Sequence, residues 1–399
     1  MPWNESKVVE ERRRLVALVL ESQVPVAEAA RLLGVSRKTA FKWLALFRVG
    51  GLAMLVDRSR APESNPRAYP TPVRQLLVEG RLAHPHWGPR KLIAFLQRRR
   101  QNLILPAPST VGLWLHACSL VRPRKRGQRG EPLGVGPFPP VLAPNDVWCT
   151  DYMGEFHVGN GEPCYPFTLS DAHTRFLIRC TAMRRISTAG ARAEMESAFR
   201  EYGLPVAMRS DNGSPFASHG LGGLTRLAVW LLKLGVQLQR IEPGRPQQNG
   251  IHERMHRTLQ QETALEPKSS LGRQQRAFDA FRQEFNYERP HEALGNATPA
   301  SLFKPSPRPM PRTLPDADYP TSYTVRSVDN KGFLRWRGQD IYLCQALSGE
   351  RLGLIESEHA GWWRLYFLHH ELGLLHANGK FVERIHRSLP WPESPMSSV

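Results

Sequence analysis

The sequence predicts a multidomain protein with helical, mixed α/β and all-β parts, in that order along its 399 residues. Three observations support this fold class. Residues 1–121 are helical in pattern and strongly basic. Residues 146–300 alternate apolar strands with amphipathic helices, which is typical of a sheet covered by helices. Residues 320–388 contain short strands separated by Gly-containing turns, which predicts a small antiparallel β-barrel.

The positive charge is concentrated near the N-terminus. Through Gly130 there are 24 Lys and Arg against 8 Asp and Glu, a net charge of +16, whereas the remaining residues hold 30 against 28. A basic block joined to a near-neutral body indicates a nucleic-acid-binding arm, so we expect double-stranded DNA as a partner.

The sequence gives no sign of secretion or membrane insertion. The five cysteines form no C-x-x-C pair, which predicts reduced thiols. No signal-peptide pattern is present, and the longest apolar stretch is interrupted by Arg226 and Lys233. We therefore expect a cytoplasmic protein, associated with the nucleoid, without a membrane span.

Residues 1–57 predict a helix-turn-helix domain. An Ala-rich helix ends at Gly34, and Ser36 is the expected N-cap of the next helix. The second helix of this motif enters the major groove N-terminus first, so cations in its first turns are candidate DNA contacts. An ordinary pair of packed helices with a solvated basic face is the alternative. The candidate contacts are Arg37, Lys38 and Lys42.

Residues 72–121 predict a second helix-turn-helix-like unit, with Ser109 as N-cap of a last helix over residues 110–117. A helical spacer is the alternative. Basic, Pro-rich linkers over 58–71 and 122–145 flank this unit and are suited to track phosphates. Candidate DNA contacts here are Arg58, Arg60, Arg90, Lys91, Arg124, Lys125 and Arg126.

The order of elements in residues 146–300 is that of a ribonuclease-H-like sheet. Three antiparallel strands come first, followed by alternating helices and strands. The expected strands cover 147–156, 165–170, 175–181, 206–209 and 237–240, and the expected helices cover 189–202, 225–234, a segment opening at Glu253, and 271–286.

Three carboxylates are candidates for an active site. Asp151 lies in a strand expected to be central, where an unpaired carboxylate is costly unless it is hydrogen-bonded or binds a metal. Asp211 follows a strand and opens a Gly/Ser/Pro loop, and Glu253 opens a helix. Together they could hold a pair of divalent metal ions that attack a phosphodiester. Asp171 is an alternative carboxylate, which a strand-connecting turn explains better.

The Glu253 helix also carries a competing motif. His252-Glu-Arg-Met-His256 satisfies H-E-x-x-H, the zinc-protease pattern. No third ligand is signalled except His291, and the neighbouring arginines would place positive charge beside a cation, which counts against zinc. The same helix presents side chains suited to phosphate and sugar, and the candidate DNA contacts are Arg254, Arg257 and Gln260.

The C-terminal part begins with a Pro-rich linker over 301–319 and continues as the predicted SH3-like barrel over 320–388. Its Trp336, Trp362 and Trp363 are expected to fill the barrel core rather than to stack on bases. The roles of Arg289, Pro290 and His291 stay open between packing the last core helix and touching DNA.

Four motifs together resemble the integrase core of bacterial insertion-sequence transposases, relatives of retroviral integrases. They are Trp148-x-x-Asp151, Ser210-Asp211-Asn-Gly-x-x-Phe216, Pro243-Gly-Arg-Pro-Gln-x-Asn-Gly-x-x-Glu253-Arg and Tyr287-x-Arg-Pro-His-x-Ala-Leu. The resemblance implies that Asp151, Asp211 and Glu253 are catalytic and hold two Mg²⁺ ions, which Mn²⁺ can replace. It also implies binding of terminal inverted repeats and target DNA, strand transfer, and a homo-oligomeric synaptic complex.

Two departures from the family accompany the resemblance. The 41 residues between Asp211 and Glu253 exceed the usual spacing, and the loop 218–223 is expected to absorb them. Helix-turn-helix units replace the His/Cys zinc module of retroviral integrases. A catalytically silent DNA-binding regulator derived from a transposase, and a nuclease acting on RNA–DNA hybrids, are the alternative functions.

Overall fold

The computed structural model describes residues 8–57, 69–121, 138–218, 220–242 and 245–383. The chain divides into two compact units, Met1–Tyr69 and Pro70–Val399. Within the described ranges no helix has the length and apolar character needed to cross a membrane. Five predicted DNA contacts lie outside these ranges: Arg58, Arg60, Arg124, Lys125 and Arg126.

Three helices form the N-terminal unit: α1 (Val8–Leu20), α2 (Val26–Leu32) and α3 (Arg37–Gly50). The turn between α2 and α3 has the predicted chemistry. Gly34 adopts φ +66°, a region that favours glycine, and Ser36 Oγ accepts a hydrogen bond from the Thr39 amide at 3.1 Å. The structure confirms the predicted helix-turn-helix.

Arg12 holds this unit together from inside its core. The side chain is buried, and its guanidinium donates to the Leu55 carbonyl at 2.7 Å and pairs with Asp57 at 3.0 Å. It also lies 3.6 Å above the ring of Trp43. A buried cation is tolerated here because each of these contacts replaces water.

The second helical unit contains α4 (Thr71–Ala83), α5 (Pro89–Arg99) and α6 (Pro108–Ala117). Its centre is Trp87, which is fully buried and stacks on His84 at 3.8 Å. The predicted start of α6 was wrong by two residues. The helix begins at Pro108, because proline needs no amide partner in the first turn, and Ser109 is therefore inside the helix rather than its N-cap.

An acidic stripe on the middle domain holds this second unit. Glu284 lies in the last turn of the last long helix of that domain, and Glu288 and Glu292 follow that helix at intervals of four residues. His84 Nδ1 lies 3.1 Å from Glu284, and Arg99 lies 3.3 Å from Glu288. Further contacts run from Arg98 to the Glu288 carbonyl and from Arg90 to Glu292. These hydrogen bonds and exposed ion pairs connect α5 and the end of α4 to the middle domain.

The middle domain is built on a mixed sheet with the strand order β4-β3-β1-β5-β6 and the short β2 paired to β3. The strands are β1 (Val147–Tyr152), β2 (Phe156–His157), β3 (Pro163–Asp171), β4 (Leu177–Met183), β5 (Ala207–Ser210) and β6 (Gln237–Arg240). Strands β1, β3 and β4 pair antiparallel, whereas β1–β5 and β5–β6 pair parallel. The order of elements along the chain is the predicted one, but the expected strand 147–156 is split into β1 and β2, and the helix expected to open at Glu253 begins at Gly250.

Helices cover both faces of this sheet. They are α7 (Thr188–Tyr202), α8 (Arg226–Lys233), α9 (Gly250–Leu259), α10 (Leu271–Tyr287) and the short α11 (Pro299–Leu302). On one face α7 and α8 bury Trp148, Phe167 and Phe199. On the other, α9 and α10 bury Leu259 and Phe278 against the sheet.

The predicted C-terminal barrel is wrong. The strands form an open five-stranded sheet in the order β13-β12-β11-β10-β7, and the hairpin β8–β9 is separate from it in the described residues. They are β7 (Thr324–Ser327), β8 (Phe333–Trp336), β9 (Gln339–Tyr342), β10 (Arg351–Glu356), β11 (Trp362–Phe367), β12 (His370–His376) and β13 (Phe381–Glu383).

The open sheet buries its apolar face against the middle domain instead of closing on itself. Leu352, Leu365 and Phe367 of the sheet share one apolar cluster with Val229 and Leu232 of α8. Because α8 supplies the second layer of this core, the sheet needs no closure to exclude water.

The long segment between Asp211 and α9 has a structural use at this contact. Leu221 is buried in the shared cluster, the Gly222 amide donates to Glu383 at 2.7 Å, and the Gly222 carbonyl accepts from Arg240 at 2.9 Å. The extra residues therefore attach the C-terminal sheet to the middle domain.

A buried ion pair at this contact gives a testable prediction. Lys233 Nζ lies 2.9 Å from Glu350, and both side chains are largely buried. We expect Lys233→Met to lower the free energy of unfolding by about 3 kcal/mol, because Glu350 then stays buried without a counter-charge. The double variant Lys233→Met/Glu350→Leu should recover most of this loss. Urea unfolding followed by tryptophan fluorescence measures both.

Arg335→Met, which removes an exposed pair with Asp340, is the matched control and should change stability little. A double variant that is less stable than Lys233→Met would contradict this account of the pair.

Candidate active site

The sheet topology brings two of the three candidate carboxylates to one edge. Asp151 lies near the end of β1, and Asp211 directly follows β5. These strands pair in parallel, with Cys149 opposite Arg209, so both side chains leave the sheet at the carboxyl ends of neighbouring strands. Glu253 lies in the first turn of α9 and is exposed.

Asp151 sits in a half-buried and electrostatically unfavourable position. Its Oδ1 accepts a hydrogen bond from the Tyr152 amide at 2.8 Å. Burial, followed by the charge of Asp211 and to a smaller extent that of Glu253, raises the pKa of Asp151 to about 7, although the Tyr152 hydrogen bond lowers it. Asp211 and Glu253 therefore interact electrostatically with Asp151, and a cation between the three carboxylates would be stabilised.

The loop after β5 places Asp211 so that one of its carboxylate oxygens accepts no hydrogen bond. Asp211 Oδ1 is buried and has no hydrogen-bond partner. Asn212 ties the loop to the end of β6 by donating to the Ile241 carbonyl at 2.6 Å. A Cβ on Gly213 would lie 2.7 Å from Asp211 Oδ2, so glycine leaves room for this carboxylate.

A second set of contacts joins the loop before α9 to β6. The Glu242 amide donates to Gln248 Oε1 at 2.8 Å, and the Arg245 side chain pairs with Glu242 at 3.0 Å. Asn249, just before the helix, is buried with its Oδ1 unpaired. The start of α9, and Glu253 with it, is thus attached to the same sheet edge as Asp211.

These carboxylates suit a divalent metal in chemistry but do not share one coordination sphere. No group of three His, Cys, Asp or Glu side chains within the described ranges is close enough to hold a metal ion. The orphaned Asp211 oxygen and the raised pKa of Asp151 mark the two positions where a cation would relieve an unpaired or repelled oxygen. Carboxylate oxygens are also the ligands that Mg²⁺ prefers.

The histidines of the zinc-protease motif are occupied by hydroxyl groups. His252 Nε2 lies 2.7 Å from Thr168 Oγ1, and its Nδ1 lies 2.8 Å from Ser170 Oγ. His256 Nε2 also lies 2.7 Å from Thr168 Oγ1. Burial lowers the pKa of His256 to about 4 and that of His252 well below its usual value. The zinc interpretation is therefore wrong for this motif.

The predicted DNA contacts fall on different surfaces. Six of them are exposed: Arg37, Lys38 and Lys42 on α3, and Arg254, Arg257 and Gln260 on or just after α9. Arg90 is exposed and lies 3.7 Å from Glu292. Lys91 is half-buried against the middle domain, and burial with the nearby Arg289 lowers its pKa to about 8. Lys91 is thus less accessible than Arg90, and its role as a DNA contact stays a prediction.

Packing contacts explain the positions of Arg289 and His291, whose roles the sequence left open. Arg289 forms a buried pair with Glu262 at 2.6 Å, and His291 packs edge-on against Phe285 at 4.7 Å. This motif therefore fastens the segment after α9 to α10. Burial lowers the pKa of His291 to about 3.

Asp171 and the C-terminal tryptophans have structural contacts that explain their positions. Asp171 is buried, and its carboxylate accepts from Asn145 and Thr174 at 2.7–2.8 Å, so it closes the β3–β4 turn as expected. Trp336 and Trp363 are buried and meet at 5.1 Å, as predicted for core residues, whereas Trp362 is half-buried.

The sequence did not reveal the contact between α9 and β3. The histidines are four residues apart on a helix and the hydroxyls Thr168 and Ser170 are two apart on a strand. The spacing of four places both histidines on one face of the helix, and the spacing of two places both hydroxyls on one face of the strand. These two spacings are the sequence signal from which the contact could have been predicted.

Family models match the chain over most of its length. An integrase core domain matches residues 142–246 and another matches 234–299. A helix-turn-helix domain matches 11–63, and a homeodomain-like domain matches 39–115. The C-terminal domain of the IS481 family transposase matches 323–378.

Proteins of bacterial insertion elements are similar in sequence. A protein of insertion element IS407 from Burkholderia multivorans is 30% identical over 161 residues, which is 40% of this chain. A protein of IS476 from Xanthomonas euvesicatoria is 28% identical over 58% of this chain. The chain spans 56% and 66% of the lengths of these two relatives.

The HTLV-2 integrase catalytic core domain in complex with magnesium aligns with 40% of this chain and 97% of its own, at 13% identity and a TM-score of 0.32, a similarity too low to support an argument. The integrase core is that of an enzyme of the polynucleotidyl transferase type. It occurs together with helix-turn-helix domains and an insertion-element C-terminal domain. These matches and the insertion-element relatives support a bacterial insertion-sequence transposase with an integrase-like core.

Proposed function

We propose that this protein is a DNA transposase that binds terminal inverted repeats, cleaves the ends of its element and joins them to target DNA. The observation that carries the proposal is the placement of Asp151 and Asp211 at one edge of a matched integrase core, with Glu253 on the adjoining helix. Asp151, Asp211 and Glu253 are its proposed catalytic triad.

In this mechanism the triad would hold two Mg²⁺ ions, for which Mn²⁺ can substitute. The ions would activate the attacking water or 3′-hydroxyl and stabilise the leaving oxygen. The protein itself supplies geometry. The β1–β5 pairing fixes Asp151 beside Asp211, and Asn212 ties the loop of Asp211 to the end of β6. The Gln248 contact attaches the start of α9 to the same edge. Arg254, Arg257 and Gln260 would bind the DNA backbone beside the reacting phosphate.

The proposed division of labour follows the chain. Residues 1–57 and 72–121 bind the terminal repeat, with 58–71 and 122–145 as linkers. Residues 146–300 form the catalytic core, and 301–319 lead to the C-terminal part, 320–388. Joining two DNA ends in concert requires at least two active sites, so we infer a homo-oligomeric synaptic complex acting at the nucleoid.

Removal of a triad carboxylate tests the catalytic assignment. Asp211→Asn and Glu253→Gln should each lower Mg²⁺-dependent nicking of a labelled terminal-repeat duplex by about a thousandfold, since metal-held charge contributes several kcal/mol to the transition state. Binding of the duplex should stay within about twofold by mobility shift.

Glu266→Gln is the matched control, because Glu266 is an exposed carboxylate of the same domain outside the proposed triad. Tight binding without nicking by the unaltered protein, in Mg²⁺ and in Mn²⁺, would overturn the proposal in favour of a DNA-binding regulator. Preferential cleavage of RNA–DNA hybrids would favour a nuclease.

Substitution on α3 tests recognition. Lys38→Ala should weaken binding to the terminal repeat by several-fold and lower the slope of log affinity against log salt by about 1, as expected for one lost phosphate contact. Arg48→Ala removes an exposed cation at the opposite end of α3 and should have little effect. Equal losses in both variants would show non-specific attraction instead of an oriented helix.

A further inference from the structure

A chain of buried polar groups runs beneath the candidate active site, from β3 to Asp151. His252 and Thr168 are fully buried, and Ser170 is buried beside them. His256 lies one helical turn after His252, and the two rings meet edge to face at 4.6 Å. No apolar or zinc-binding role explains four polar side chains placed in contact at this depth.

The distances define an unbroken series. Ser170 Oγ lies 2.8 Å from His252 Nδ1, and His252 Nε2 lies 2.7 Å from Thr168 Oγ1. Thr168 Oγ1 lies 2.7 Å from His256 Nε2. The series ends at His256 Nδ1, which lies 3.9 Å from Asp151 Oδ2.

Counting hydrogens restricts how this series can be arranged. Both imidazoles are buried with hydroxyl partners, so each is neutral and has one N–H and one bare nitrogen. Thr168 has one hydroxyl hydrogen and faces two Nε2 atoms. It can donate to one ring and accept from the other, or accept from both and donate to the Asp151 carbonyl at 3.2 Å.

Electrostatics separates the three arrangements when Asp151 is ionised. If Thr168 donates to His252 or to the Asp151 carbonyl, His256 donates from Nε2, and its bare Nδ1 faces the carboxylate as one electron-rich atom opposite another. If Thr168 donates to His256, the hydrogen of that ring is on Nδ1 and points at the carboxylate. Donation from Thr168 to His256 also spans 2.7 Å, whereas donation to the Asp151 carbonyl would span 3.2 Å.

We propose that His256 is a positioning residue for Asp151, held as the Nδ1–H tautomer by a one-directional series from Ser170 through His252 and Thr168. In this series Ser170 donates to His252 Nδ1, His252 donates from Nε2 to Thr168, and Thr168 donates to His256 Nε2. The role rests on the proposed function, because it matters only if Asp151 is a metal ligand. At 3.9 Å the N–H orients the carboxylate electrostatically without a full hydrogen bond.

The consequence for the site is a fixed relation between helix and sheet. His252 and His256 flank Glu253 on α9, whereas Thr168 lies opposite Asp151 in the β1–β3 register. One network therefore sets the depth of α9 and the orientation of Asp151 together. Partners that orient a ligating carboxylate typically change metal affinity by about 10- to 100-fold when removed.

The first test measures tautomers in the metal-free protein. Long-range ¹H–¹⁵N spectra of ¹⁵N-histidine-labelled full-length chain, recorded well above the pKa of Asp151 and assigned with His252→Gln and His256→Gln, should show Nε2–H for His252 and Nδ1–H for His256. An Nε2–H tautomer of His256 would overturn the proposal. Because no metal, DNA or activity enters this measurement, its result is independent of whether the protein is a transposase.

The second test separates orientation from folding. His256→Asn keeps an amide donor where Nδ1 stands, whereas His256→Gln keeps a polar group where Nε2 stands but loses the donor toward Asp151. Mn²⁺ binding followed by electron paramagnetic resonance should weaken about tenfold in the Gln variant and little in the Asn variant. Equal weakening in both, or the reverse order, would overturn the orienting role.

Thr168 provides a third comparison. Thr168→Ser retains the hydroxyl and should bind Mn²⁺ like the unaltered chain, whereas Thr168→Val should weaken binding and leave two imidazole nitrogens unpaired. If the unaltered chain binds Mn²⁺ but nicks no terminal-repeat DNA, the proposed function fails while the positioning role stands. Normal Mn²⁺ binding by a folded Thr168→Val would refute the network.

Discussion

The arrangement of the middle domain depends on holding like charges together at the end of two parallel strands. Pairing of β1 with β5 makes Asp151 and Asp211 neighbours, although their negative charges repel each other. Burial first and the charge of Asp211 second raise the pKa of Asp151, so an ionised carboxylate is unfavourable at this position. The cost is met by the rest of the fold: apolar helices on both faces secure the strands, and the contacts of Asn212 and Gln248 secure the adjoining loops.

Much of this could be predicted from sequence because it is local. Alternation identified the strands, Gly34 and Ser36 identified a turn, and the position of Asp211 after a strand placed it at the sheet edge. The open C-terminal sheet could not be predicted, since its second layer is α8, more than a hundred residues earlier in the chain. Likewise, the contact of His252 with Thr168 joins residues 84 apart. No local pattern encodes such pairs.

The wide spacing between Asp211 and Glu253 has a physical explanation. Leu221 and Gly222 attach the C-terminal sheet to the middle domain, and the Lys233–Glu350 pair reinforces the contact. An enlarged loop near an active site thus serves as a joint between two domains. Asp211 and Glu253, the proposed catalytic residues on either side of it, remain tied to the central sheet.

The stripe formed by Glu284, Glu288 and Glu292 connects the second helical unit to the middle domain. If residues 72–121 bind the terminal repeat as proposed, the bound duplex would meet the sheet edge that carries Asp151 and Asp211 at a set distance and rotation. The protein could count base pairs between the sequence it recognises and the phosphate it attacks without touching those in between. Precision of the cut would thereby become a property of internal protein contacts rather than of DNA sequence at the cut.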